Sequence, residues 1–178
     1  MDPTPERLLL AGKLALVLLA AVILQTVLSA RLTVLGVTPD FFVILVVLVA
    51  LDRGSLTGAV FGFAAGLVAD IVFLDPLGWR AFIFLLAGYA VGRYSEEIGL
   101  VNAWLIIVGT AGVSLASQAM YGLYQFLMGP GPDFFTMVRV QMIPAALLDG
   151  LVAAPLAMAL TRLHVLRRQP GTQGPTFR

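Results

Sequence analysis

Apolar residues run in six long blocks along the chain, at about 8–29, 39–51, 55–74, 80–92, 100–128 and 143–163, with short polar turns between them. A helix rises about 1.5 Å per residue, so roughly 20 apolar residues cross a hydrocarbon core. The pattern predicts an all-α integral membrane protein with six transmembrane helices, residues 1–165 forming a single polytopic membrane domain. Residues 166–178, rich in Gly, Pro and Thr, read as a disordered cytoplasmic tail. The second block is short for a crossing and should tilt or sit where the bilayer thins. The fifth is longer than a straight crossing requires.

Polar and small residues inside the blocks are spaced as helix faces. Gly58, Gly62 and Gly66 recur every fourth residue, with Asp70 next in the series, and Gly88 and Gly92 repeat the spacing one block later. Such stripes let helix backbones approach closely, either inside the fold or as a groove for a partner helix. A carboxylate on the stripe should face protein rather than lipid. Ser114, Gln118, Tyr121 and Gln125 share one face of the fifth block, and Asp149 lies among Ala146, Gly150, Ala153 and Ala157 in the sixth. Thr38 is placed to cap a helix starting at Pro39, with Asp40 beside its positive end. Gly129 to Pro132 is a break, a kink is expected at Pro155, and Arg93 to Glu97 reads as a solvated loop.

Composition sharpens this picture. Hydrophobic residues make up 60% and charged residues 12%, far from soluble-domain usage. With no cysteine and a single histidine, His164, the chain lacks thiolate chemistry and a metal-ligand cluster. A net charge of +1 provides no concentrated basic surface for nucleic acid. With six crossings, Arg7, Lys13, Arg53, Arg93, Arg162, Arg167, Arg168 and Arg178 fall on one side and Arg31, Arg80 and Arg139 on the other. That imbalance places both termini in the cytoplasm. Asp40, Asp70 and Asp149, with Gln118 and Tyr121, would then border an outward-facing polar cavity; alternatively, each acid separately satisfies a helix end or a neighbouring hydroxyl.

Residues 39 to 93 resemble the rod shape-determining MreD family. The resemblance rests on Pro39-Asp40 opening a helix, the Arg53-Gly54 turn, Gly62 and Gly66 followed by Asp70, then Pro76-Leu77-Gly78 and Gly88 to Gly92. It departs at Asp149, where members often carry Asn. The resemblance implies a six-helix, non-enzymatic scaffold of the bacterial cytoplasmic (inner) membrane, similar in fold to the substrate-binding subunits of energy-coupling-factor transporters. It implies MreC as partner and, through it, MreB, RodA and the elongation penicillin-binding transpeptidase. No cofactor and no catalytic residue accompany it.

Two other classes are weighed against this one. A substrate-binding subunit of a vitamin or cofactor transporter would share the fold and would copurify with a ligand and an ATPase. An intramembrane enzyme lacks support, because no Ser-His or Ser-Lys pairing and no phosphate loop is visible.

Overall fold

The structure is a computed structural model and describes residues 5–29, 37–98, 103–128, 136 and 138–162. Six α-helices occupy them: α1 (Pro5–Ser29), α2 (Phe41–Arg53), α3 (Ser55–Phe73), α4 (Trp79–Ile98), α5 (Ala103–Met128) and α6 (Ile143–Arg162). A π-helical turn, Val138–Met142, leads directly into α6. No strand occurs among the described residues apart from an isolated bridge position at Val37. The 166–178 tail, His164 and the Gly129–Pro132 break lie outside the described residues, as does the side chain of Gln125.

The short second helix is the centre of the bundle. Its run FFVILVVLVAL is apolar on every side, and a helix of that kind is stable only when surrounded. Every residue from Phe41 to Leu51 is buried, and α2 touches all the other helices. One side packs on Phe61, Ala65 and Ala69 of α3, Phe84 of α4 and Val17 and Ala21 of α1; the other meets Ala153 and Ala157 of α6. At 13 residues it is about 20 Å long. Its lack of length is tolerable because protein surrounds it on all sides.

The start of α2 differs from the sequence expectation, and its end falls at the expected Arg53-Gly54 turn. The helix starts at Phe41, and the N-cap is Asp40 rather than Thr38. Asp40 has extended backbone angles, and its Oδ1 accepts the N–H groups of Phe42 (3.0 Å) and Val43 (3.3 Å), as a capping carboxylate does. At the far end Gly54 has φ 83, a left-handed value that favours glycine, and it joins α2 directly to α3. The buried Ser95 hydroxyl donates to the carbonyl of Leu51 in the last turn of α2 (3.0 Å).

The glycine stripe of α3 is filled within the chain by α4. A Cβ on Gly62 would overlap the carbonyl of Phe84, and one on Gly88 would overlap the carbonyl of Gly58. Gly66 faces the backbone of Ala81, and Gly92 faces Gly54 and Ser55. The two helices therefore run backbone to backbone, and no groove remains on this face for a partner helix. Helix α4 also continues through the expected loop to Ile98. There, past its apolar part, Glu96 is not simply solvated: it accepts the Ser55 N–H (2.7 Å) at the open start of α3. That backbone bond, together with the Ser55 hydroxyl, holds the Glu96 carboxyl below the usual carboxylate range.

Three helical stretches, Ser55–Phe73, Trp104–Tyr124 and Val138–Leu160, are long and apolar enough to cross a membrane. Gly12–Val27 is a shorter apolar stretch of α1. Pro155 lies inside α6, which continues beyond it to Arg162.

Candidate functional site

A cavity of about 250 Å³ opens at one end of the bundle. The segments that build it are the C-terminal part of α1 (Gln25), the starts of α2, α4 and α6, the end of α3 (Phe73) and the second half of α5. Alternating helix ends meet at one place only if the chain runs up and down.

Asp40, Asp149, Gln118 and Tyr121 all line this cavity. Asp149, fully buried, joins two helices: its Oδ1 accepts the backbone N–H of Asp40 (2.7 Å) and its Oδ2 accepts the Ser114 hydroxyl (2.5 Å). Gln118 Nε2 donates in turn to Ser114 Oγ (2.9 Å). The chain of bonds runs from α5 through α6 to the N-terminus of α2. Each buried polar group in it has a partner, as low-dielectric surroundings demand.

Asp70 does not belong to that set. It is buried, but its Oδ2 and Oδ1 accept the N–H groups of Gly78 (2.7 Å) and Arg80 (3.0 Å). These are orphan donors at the start of α4, so Asp70 fastens the α3–α4 turn. The same turn holds Leu74 at φ 57, its N–H bonded to the Asp70 carbonyl.

In the sequence Arg80 stands out only as one of three basic residues on the outer side. In the structure it bridges Asp75 (Nε to Oδ2, 2.8 Å) and Asp40 (Nη1 to Oδ2, 3.2 Å). Its guanidinium lies 4.4 Å from the Phe73 ring centre and 5.8 Å from that of Tyr121. Such a cation over an aromatic face gains electrostatically. Gln25 is a second addition, its Oε1 accepting the Phe41 N–H (3.0 Å). An amide in the middle of an apolar block was the signal that could have found it.

No group of three or more potential metal ligands occurs among the described residues. The site offers hydrogen bonds and one shared cation. Neither a curated protein nor a solved structure matches the chain. A family model for the rod shape-determining protein MreD matches residues 6–166, a range that includes all of the cavity wall. By that match, covering nearly the whole length and agreeing with the resemblance of residues 39 to 93, the chain belongs to the MreD family.

Proposed function

We propose that the chain is a non-enzymatic membrane subunit of the bacterial elongation complex, binding MreC and supporting lateral peptidoglycan synthesis. Through MreC it would act with MreB, RodA and the elongation penicillin-binding transpeptidase. The observation that carries this reading is the family match over residues 6–166, since membership implies a role in rod shape determination. The transporter-subunit reading has no comparable support.

The proposal includes six crossings of the inner membrane with both termini cytoplasmic, and the likeness of fold to energy-coupling-factor substrate-binding subunits. The up-and-down arrangement supports the crossing pattern, and the Arg and Lys imbalance supports the orientation. The cavity then faces outward. Because the α3 stripe is occupied by α4, MreC would dock on outer surfaces of the bundle. Helix association in lipid gains from close van der Waals fit rather than from apolar burial.

Depletion of the protein in its own rod-shaped host, followed by microscopy, tests the reading. Cells should widen and round, and re-expression should restore rods. Unchanged cell width after complete depletion would contradict it.

A further inference from the structure

The polar groups that line the cavity divide into those the fold has already used and those it leaves open. The charged ones are used. Asp40 and Arg80 are paired at 3.2 Å, the other Asp40 oxygen caps α2, and Asp149 is fully buried with a donor on each oxygen. A ligand charge of either sign would compete with a pairing already made, at a cost that a neutral ligand avoids.

The open groups are neutral. Among the described residues the side chains of Thr38, Tyr121 and Gln141 make no hydrogen bond, and Gln118, whose Nε2 is engaged on Ser114, keeps its Oε1 unused. None of these atoms is sealed off: the buried side-chain polar atoms without a partner belong to Trp79 and Thr110, and Gln141 is itself exposed. They come from three separate segments, the approach to α2, the second half of α5 and the π-helical turn before α6, and the fold brings them to one cavity.

Two hydroxyls and a primary amide can each donate and accept, and the Gln118 oxygen accepts. A matching ligand therefore carries several neutral groups that both donate and accept within a small volume. At about 30 Å³ per water, 250 Å³ corresponds to roughly eight waters, room for one six-membered ring with its substituents. Phe73, Tyr121 and Met142 add apolar wall that suits the C–H groups of such a ring. We infer that the cavity binds a neutral sugar ring, its hydroxyls paired with Thr38, Gln118, Tyr121 and Gln141. That chemistry occurs on a free saccharide and on the headgroup of a glycolipid. The inference goes beyond the scaffold reading and does not depend on MreC.

The full chain is purified in octaethylene glycol dodecyl ether, because a maltoside detergent would itself present sugar rings. Saturation-transfer NMR follows D-glucose, N-acetyl-D-glucosamine, D-glucuronate, D-glucosamine and octyl β-D-glucoside as each is titrated. Saturable transfer to either neutral free sugar supports the inference with a soluble source. Saturable transfer to octyl glucoside alone supports it with a lipid-borne one. Tyr121→Phe keeps the ring beside Tyr124 and Arg80, and Gln141→Ala changes an exposed position; both remove groups that make no bond to the described residues. The double variant should therefore fold, melting as the wild type does, and bind the sugar about tenfold more weakly. The inference is overturned if no neutral sugar or glucoside gives saturable transfer, if glucuronate or glucosamine binds as tightly as the neutral sugars, or if the double variant binds at full strength.

Discussion

Asp149 sits where α5, α6 and the start of α2 meet, and donors from two of them end on its carboxylate. Truncation to alanine would leave the Asp40 N–H and the Ser114 hydroxyl without their shared acceptor, at about 1–3 kcal/mol for each group left unsatisfied. Asparagine keeps an acceptor for the N–H, and the Ser114 hydroxyl can turn to accept from its amide. Asp149→Ala should therefore melt well below the wild type in detergent, with Asp149→Asn between the two. Equal melting of Asp149→Ala and wild type would show that the bonds contribute nothing. That this acid is buried was legible, because a carboxylate on a small-residue stripe has no other comfortable place. Arg80 was not legible: its partners, Asp40 and Asp75, are 40 and 5 residues away, and only the fold brings them to one guanidinium.

Helix α3 and helix α4 owe their contact to absent side chains. At Gly62 an added methyl would have to displace the Phe84 backbone, which cannot rotate aside as a side chain can. Overpacking of this kind costs about 1–3 kcal/mol for a methyl group and more for a larger one. Gly62→Ala should lower the melting temperature, and Gly62→Leu should prevent the pair from closing. Gly12, by contrast, has nothing near its Cβ position, so Gly12→Ala should be neutral in the same assay. Matching melts for Gly62→Ala and Gly12→Ala would refute the close-contact account. The stripe was readable from its fourfold spacing, but spacing alone does not say which surface it meets. Likewise the apolar pattern of residues 41–51 reveals a helix, while its central position follows from packing on all sides.

In the whole molecule, polar chemistry gathers at one end of the bundle and the Ser55–Glu96 clasp closes the other. Six helices were visible as six apolar blocks, since hydropathy over about 20 residues is a strong signal. Three of the predicted cavity residues on α5 and α6, Gln118, Tyr121 and Asp149, come together with Asp40, whereas Asp70 is diverted to the α3–α4 turn. Periodicity gives the face of a helix but not its rotation within a bundle, and the difference between Asp70 and Asp149 lies there.

Family membership makes rod shape the biological setting, and association with MreC is the central claim built on it. Affinity purification of the tagged chain from membranes of its own host, in mild detergent with mass spectrometry of the copurifying proteins, tests that claim most directly. The account predicts MreC at near-stoichiometric yield, with wall-synthesis enzymes behind it. Recovery of an ATP-binding transport module in the absence of MreC would contradict it.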